Sequence, residues 1–277
     1  MNFEFLILNL IGIFASVKTF GNIAIVGSGN LAEALAAAVG QLDDIRLTIV
    51  ARNPQRGRKL ADRCRAEYCA TDAPLHDTEL CIIAVSDSAI ASVADSLRLP
   101  QTAVVTHTSG ATPIDVLPAR FAARGSFYPF QTFTAGREVD FSAIPIFIEA
   151  SDPAATDALE AFAGRLSRSV TRADAQTRRR IHLAGVFACN FANRMFGIGC
   201  EIVGRAGLGF DVLRPLIAET AAKALAAESP ADVQTGPAVR GDRESQRRHL
   251  EMLANTPELS DIYNLISKNI WETSKKT

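Results

Sequence analysis

The sequence predicts an α/β fold with a doubly wound, mainly parallel sheet, followed by a second domain that is entirely helical. Short β-branched runs alternate with helix-forming runs up to residue 171, and this alternation stops from residue 172 onwards. We therefore expect an apolar extension at 1–20, a sheet domain at 21–171 and a helical domain at 172–277.

The first strand and the turn that follows it carry the strongest local signal. Ile23 to Val26 is apolar and β-branched, and it leads into a glycine turn and then an Ala- and Leu-rich helix. Gly27 permits a tight turn, and Gly29 lets the backbone approach a pyrophosphate. Ala32 stands where a third glycine would allow close packing. This is the pattern of a Rossmann-like dinucleotide-binding turn, with a glycine turn that binds nothing as the alternative. The predicted contacts are Gly27, Ser28, Gly29, Asn30 and Leu31.

The end of the second predicted strand indicates which dinucleotide is bound. In proteins that use NAD, an acidic residue here accepts hydrogen bonds from the ribose 2′-hydroxyl. This chain has Arg52, Asn53 and, nearby, Arg56. A guanidinium suits a phosphate, so these residues predict a 2′-phosphate site and NADP as the cofactor. Alternatively, Arg56 belongs with Arg58 and Lys59 to the solvated face of the next helix.

The alternation continues through the rest of the predicted sheet. Further strands are expected at Arg46–Ala51, Leu80–Val85, Ala103–Thr106, Ile144–Glu149 and Ser169–Thr171, with helices at Arg56–Glu67 and Ala154–Leu166 and one that Ser86 and Asp87 cap. Ligands lie beyond the carboxyl ends of parallel strands. Val85 and Ser86 are therefore predicted near the cofactor.

The same rule draws attention to two later segments. Ser109 and Gly110 follow a predicted strand and could approach the nicotinamide or the substrate. They could equally form a tight turn before a helix that starts at Pro113. Gln131, in the aromatic segment Ser126 to Thr134, is predicted to contact the substrate.

A long apolar helix is predicted to begin near Asp174. Its polar residues His182, Asn190 and Asn193 share one broad face if each residue advances the helix by 100°. Buried polar groups need partners or a water-filled cleft, so these three side chains indicate a site. For His182 alone, a structural histidine is the alternative.

The loop at 235–244 is rich in glycine and proline and precedes another helix. Arg240 is a candidate for binding a substrate carboxylate, or else an ordinary surface arginine. Asp242 is the predicted N-cap of the next helix, and Asp211 that of the helix ending at Ala227.

Composition narrows the class of protein. The 277 residues are 48% hydrophobic and 21% charged, with a net charge of −1. This balance gives no electrostatic reason to expect a nucleic-acid partner. Five cysteines without CxxC spacing predict neither disulfides nor a metal site, and a cytoplasmic location follows.

The apolar run from Phe3 to Val17 is too short to span a bilayer, which takes about 20 apolar residues. A signal peptide has positive charge before its apolar core, whereas no Lys or Arg precedes Lys18. We expect an extension, either translated from an upstream start or forming a helix packed on a partner.

Five motifs in order resemble one family, and they read GSGNLA, THTSGA, FYPFQTF, HLAGVFACN and TGPAVRGD. That family joins a Rossmann-like domain to the helical domain of unknown function 2520, and the resemblance runs from about Asn22 to near Trp271. More distantly the chain resembles pyrroline-5-carboxylate reductases, ketopantoate reductases and β-hydroxyacid dehydrogenases. The resemblance implies an NADP-dependent oxidoreductase, with a homodimer formed through the helical domain.

The resemblance also bears on the chemistry. β-Hydroxyacid dehydrogenases carry a catalytic lysine on the interdomain helix, where this chain has His182. His182 is thus the candidate proton donor or acceptor, Asn190 would orient the substrate, and Ser109 or Arg240 would hold it. Many members have histidine at the position of Tyr128, so we expect Tyr128 to line the pocket without acting as an acid or base.

The predicted function is hydride transfer between NADPH and a small carbonyl, imine or hydroxy-acid substrate bound between the domains. Two alternatives stay open. One is a non-catalytic NADP-binding regulatory or scaffold protein, which the missing lysine favours. The other is a reductase that uses a deazaflavin coenzyme, as related two-domain folds do.

Overall fold

The computed structural model describes residues 19–275, so the apolar run Phe3–Val17 lies outside the described residues. Eight strands form one sheet: β1 Asn22–Val26, β2 Arg46–Val50, β3 Glu67–Cys69, β4 Leu80–Ile83, β5 Val104–His107, β6 Ala123–Pro129, β7 Ile146–Ala150 and β8 Val170–Arg172. Their order is β3-β2-β1-β4-β5-β6-β7-β8. Only the β6–β7 pairing is antiparallel, so the prediction of a mainly parallel sheet is confirmed.

Helices connect the strands and then make up all the regular structure among the described residues after β8. They are α1 Asn30–Val39, α2 Pro54–Arg63, α3 Ile90–Ser96, α4 Pro153–Leu166, α5 Ala175–Gly185, α6 Ala192–Arg205, α7 Arg214–Ala226, α8 Arg243–Met252 and α9 Pro257–Ser274. The predicted helical C-terminal region is therefore confirmed. None of the described helices is long and apolar enough to cross a membrane.

Two hydrophobic clusters cover the two faces of the sheet. Ile23 and Ile25 of β1 point into one cluster, which α1, α2 and α4 complete. Ala24 and Val26 point into the other, to which α3 contributes. Because successive strand residues face opposite sides, a strand buried on both faces must be apolar throughout, as β1 is.

Both ends of one predicted helix are wrong, and one strand was missed. The helix predicted at Arg56–Glu67 begins at Pro54, because the Asn53 side chain accepts a hydrogen bond from the Arg56 amide and so caps it. It ends at Arg63, and Arg65 then turns the chain with φ of 54°. Strand β3 follows and was missed, since three residues at a sheet edge leave almost no periodic signal.

Of the predicted capping residues Ser86, Asp87, Asp211 and Asp242, the first three do not cap a helix. Ser86 makes no capping bond, and a 3₁₀ turn at Asp87–Ala89 precedes α3. Asp211 lies inside a 3₁₀ turn and pairs with Arg214. By contrast Asp242 caps α8 as predicted, and Asp174, the predicted start of the long helix, caps α5; each accepts the amide three residues ahead.

The predicted uninterrupted helix is interrupted. A π-helical turn at Val186–Phe191 separates α5 from α6. One extra residue in a turn rotates everything after it by roughly 100° relative to a regular α-helix. The argument that His182, Asn190 and Asn193 share one face therefore does not hold.

The chain divides into two compact units, one ending at Phe191 and the other beginning at Ala192. This division comes later than the predicted boundary between residues 171 and 172. The reason is that α5 packs against the sheet, where Phe130 fills the space beside Gly185.

Candidate functional site

One row of paired residues crosses the sheet near the carboxyl ends of the parallel strands. Val26 pairs with Ile83, Ile83 with His107, His107 with Ser126, and Ser126 with Glu149. The turns after β1, β4 and β5 therefore start at one edge of the sheet, as the sequence predicts. Strand β6 continues past this row, since Phe127 to Pro129 pair only with β7.

The Gly27 turn is shaped by a close backbone approach. Gly27 has φ of +135°, and a Cβ atom there would overlap the Ala84 carbonyl of the neighbouring strand end. Its amide donates to the Val50 carbonyl at 2.8 Å. Ala32 is fully buried and lies 3.5 Å from the same Cβ position. Helix α1 and strand β1 thus pack as closely as a nucleotide-binding turn requires.

Gly29 gives the open side of the turn. It is the N-cap of α1, makes no side-chain capping bond, and a Cβ built on it would meet nothing within 4 Å. The first amides of α1 therefore face space that an anion can enter. The Asn30 side chain is occupied, because it donates to the Phe133 carbonyl at 3.0 Å, and Leu31 packs against the core.

The basic residues after β2 differ in their availability. Arg52 and Arg56 are exposed and have no ion pair or hydrogen bond through their side chains among the described residues. The Asn53 oxygen is used in capping α2. Arg58 stacks on the Tyr68 ring, 4.8 Å from its centroid. Two guanidinium groups are thus free to meet a phosphate.

The Ser109 hydroxyl closes a turn. It accepts the amides of Ala111 and Thr112 at 3.2 and 3.0 Å and lies 2.9 Å from the Thr112 hydroxyl. Ser109 is buried, so these contacts occupy its oxygen. The arrangement matches the tight-turn alternative, although a 3₁₀ turn at Ile114–Val116 replaces the predicted helix.

His107 is a buried histidine that the sequence analysis missed. Its Nδ1 accepts the Ser109 amide at 3.2 Å. Burial and, to a smaller extent, the nearby positive charge of Arg178 together lower the pKa of His107 to about 4. His107 is therefore neutral at physiological pH and supports the turn by hydrogen bonding.

Tyr128 and His182 meet beside the Gly110 backbone. The Tyr128 hydroxyl lies 3.2 Å from His182 Nδ1. A Cβ built on Gly110 would stand 2.6 Å from Tyr128 Cζ and 2.9 Å from His182 Cβ. Burial, reinforced by the Asp87 carboxylate, raises the pKa of Tyr128 to about 12, so the phenol keeps its proton.

Arg178 anchors this arrangement and was also missed. Its side chain is 1% exposed, forms an ion pair with Glu149 of β7, and donates to the Thr112 carbonyl at 2.7 Å. Arg178 and His182 are four residues apart on α5 and therefore share a face. That spacing is the signal that could have identified Arg178.

The other predicted site residues are more scattered. Asn190 is exposed in the π turn, and its side chain makes no hydrogen bond among the described residues. Gln131 is exposed, and its side-chain oxygen accepts the Thr132 amide at 2.8 Å. Asn193 and Arg240 are exposed in the second unit. Val85 is half-buried and Ser86 exposed after β4.

The described residues contain no group of three or more His, Cys, Asp or Glu side chains placed to hold a metal.

Two family models match the chain. Residues 22–110 match the model described as NADP oxidoreductase, coenzyme F420-dependent, and residues 144–270 match domain of unknown function 2520. The crystal structure of a "putative NADP oxidoreductase" from Bacteroides fragilis is 37% identical with a TM-score of 0.82, covering 93% of this chain and 100% of that one. The chain belongs to the DUF2520 oxidoreductase family. A search of curated proteins finds no match.

Other solved structures share the fold with this DUF2520 family member. An imine reductase from Pseudomonas sp. is 20% identical with a TM-score of 0.58, covering 93% of each chain. A reductive aminase from Aspergillus terreus, in complex with NADPH and ethyl levulinate, is 16% identical with a TM-score of 0.66, covering 92% of this chain and 95% of that one. At such identities the likeness concerns the fold.

We predict that Gly27 and Gly29 of this DUF2520 protein respond differently to alanine. Gly27→Ala should lower the free energy of unfolding by about 2 kcal/mol or more, because it adds strain at positive φ and a backbone overlap. Gly29→Ala should change stability by less than about 1 kcal/mol, since its Cβ enters open space. Urea unfolding of the two variants checks this, and equal losses would contradict it.

We also predict that removing the buried guanidinium is far costlier than removing an exposed one. Arg178→Ala leaves Glu149 without its partner and should cost about 3 kcal/mol of stability. Arg172, which is 52% exposed and pairs with Asp157 and Glu160, is the matched control. Arg172→Ala should cost less than about 1 kcal/mol in the same urea titration. A similar loss in both variants would show that Arg178 does not anchor α5.

Proposed function

We propose that this protein is an NADP-dependent oxidoreductase that transfers a hydride between NADPH and a small carbonyl, imine or hydroxy-acid substrate. One observation carries the proposal. The open, uncapped Gly29 turn follows β1, and the loop at Gly110, where the Tyr128–His182 pair meets, follows β5, so both start at the same carboxyl end of the sheet. Family membership supports the same class of reaction.

The residues of the first unit suit the cofactor. The amides at the start of α1 would hold the diphosphate, because they are uncapped by side chains and reachable at Gly29. Arg52 and Arg56 would bind the 2′-phosphate through their free guanidinium groups. When bound, NADPH would supply the hydride, and the protein supplies position and a proton.

His182 is the group proposed to supply or accept the proton. It lies against Gly110, at the end of the loop that follows β5. Strand β5 is two strands from β1, and neighbouring strands lie about 4.8 Å apart, so the two loops start about 10 Å from each other. A single extended dinucleotide bound at Gly29 can therefore bring its reactive end toward His182.

Two other candidates each have an observation in their favour. The Ser109 hydroxyl is consumed by its own turn and Asn190 lacks a partner among the described residues, which favours a non-catalytic NADP-binding protein. The match to a family model named for coenzyme F420 favours a reductase that uses a deazaflavin. A spectroscopic screen that measures the oxidation of NADPH, NADH and a reduced deazaflavin separates the three candidate functions.

The cofactor part predicts a preference for NADPH over NADH in calorimetric titration. Arg52→Ala should weaken NADPH binding by about tenfold or more and leave NADH binding unchanged, because one charge-assisted hydrogen bond to the 2′-phosphate is lost. Arg58→Ala is the matched control, since that guanidinium is stacked on Tyr68. Tighter binding of NADH than of NADPH would refute the NADP assignment.

The catalytic part predicts that His182→Gln lowers turnover by about a hundredfold or more, the usual contribution of a positioned acid or base. NADPH oxidation against a panel of cyclic imines, aldehydes and 2-keto acids measures it, with NADPH affinity expected to stay unchanged. His249→Gln is the matched control, because His249 also bonds a tyrosine hydroxyl, that of Tyr263 at 2.8 Å. Turnover that survives His182→Gln would remove His182 from the mechanism.

We further propose that the protein is a homodimer. In the first unit, Leu183, Phe187 and Phe191 are 57%, 63% and 49% exposed and follow one another at four-residue intervals. A contiguous exposed apolar stripe of this kind is unusual on a monomer. Light scattering at micromolar concentration tests the proposal, and a monomeric mass would refute it.

A further inference from the structure

The Tyr128–His182 hydrogen bond fixes where a proton can leave the protein. We propose that Tyr128 holds neutral His182 as the tautomer with its hydrogen on Nε2, so that Nε2–H faces the reacting atom and the phenol replaces the proton that leaves. Tyr128 is then a positioning residue that acts through His182. This inference rests on the proposed function and deepens its proton-transfer step.

The geometry leaves one role for each imidazole nitrogen. Nδ1 lies 3.2 Å from the Tyr128 hydroxyl. Nε2 has no hydrogen-bond partner among the described residues. It is also not one of the buried side-chain atoms that lack a partner, so it is accessible. Nδ1 is thus occupied by the protein, and Nε2 is the nitrogen that a ligand can reach.

The direction of the hydrogen bond follows from the available partners. A neutral imidazole has one N–H and one accepting nitrogen. If Nδ1 carried the hydrogen and donated it, the phenol hydrogen of Tyr128 would have no acceptor among the described residues. With Tyr128 donating to Nδ1, both groups are satisfied. The hydrogen bond made by one ring nitrogen then places the hydrogen on the other.

Both partners are held firmly in place. Tyr128 lies in the part of β6 that pairs with β7, and its ring packs against Phe130 and Phe147 with centroids 6.0 and 6.4 Å away. His182 lies one helical turn after Arg178, whose guanidinium bonds Thr112 and Glu149. One face of α5 therefore contacts the loop at 109–112 at two points, through Arg178 at Thr112 and through His182 at Gly110.

The charged groups around the pair favour a phenol that keeps its proton at rest. Asp87 disfavours the phenolate, and the charge of Arg178 is balanced by its ion pair with Glu149. His107, which borders the same loop, is neutral. Burial and the Asp87 carboxylate, which both raise the pKa of the phenol, therefore outweigh the opposing effect of Arg178.

The proposed step combines a hydride transfer with a proton relay. When bound, NADPH would supply the hydride with its electron pair to the carbon of the C=O or C=N bond, whose π electrons would move to the oxygen or nitrogen. This atom takes the Nε2 proton, while Nδ1 takes the phenol proton of Tyr128. Water then reprotonates the phenolate. The proton moves downhill, because an alkoxide is a stronger base than a phenolate.

The test reads the tautomer directly and does not depend on turnover. In the full-length protein with ¹⁵N-labelled histidine, at pH 9 where an ordinary imidazole is neutral, His182 should show a protonated Nε2 and a bare Nδ1. The His182→Gln variant assigns its signals among the four histidines. Tyr128→Phe should move the two nitrogen signals toward each other, as expected for a tautomer mixture.

Kinetics provide the second readout. Tyr128→Phe should lower kcat by about tenfold or more, as expected for loss of one hydrogen bond, and leave NADPH affinity unchanged. Tyr263→Phe removes the same atom from the other Tyr–His pair and should change neither kcat nor the His182 signals. A His182 signal with the hydrogen on Nδ1, or Tyr128→Phe signals identical to wild type, overturns the inference.

The two proposals fail in different ways. If the His182 tautomer is as expected but His182→Gln keeps full turnover, the assignment of His182 in the proposed function fails. If His182→Gln abolishes turnover but the tautomer is the opposite one, only the inference about Tyr128 fails.

Discussion

A single buried guanidinium holds the helix that carries His182 against the sheet and the loop after β5. Arg178 is almost completely removed from water, and its positive charge is tolerable only because Glu149 neutralises it and the Thr112 carbonyl accepts from it. Those two partners lie on β7 and on the loop after β5. The side chain therefore ties the start of α5 to the sheet and to the loop at once, and the position of His182 follows from that tie.

The sequence predicted the parts of this structure that local pattern determines. The β1 run, the positive-φ glycine and the alanine-rich helix are local choices, and each agrees with the sheet around it. Asp242 was predicted as a cap, and Asp174 as the start of a helix, for the same reason, because a helix start depends on only a few neighbouring residues.

What the sequence did not predict depends on contacts between distant segments. The structural role of Arg178 depends on its bonds to Glu149 and Thr112, which are 29 and 66 residues away in the sequence. His107 ends an apolar strand and nothing in its neighbourhood signals burial beside a second histidine-bearing element. The π turn was missed because its residues, Val186 to Phe191, have ordinary helix-compatible composition. Ser109 was predicted with two roles, and only the folded turn shows its oxygen fully engaged.

The strand that carries Tyr128 is longer than its parallel neighbour. Three residues of β6 project past the last pair it forms with β5 and are held there by β7 alone. The Tyr128 phenol is therefore carried by a strand extension that pairs only with β7, and it lies beside the loop at 109–112 without being part of it. The pairing of β6 with β7 sets the backbone position of residue 128. The side chain at this position can therefore change while the surrounding backbone stays the same. Natural variation or engineering at this single position can therefore retune acidity without rebuilding the fold.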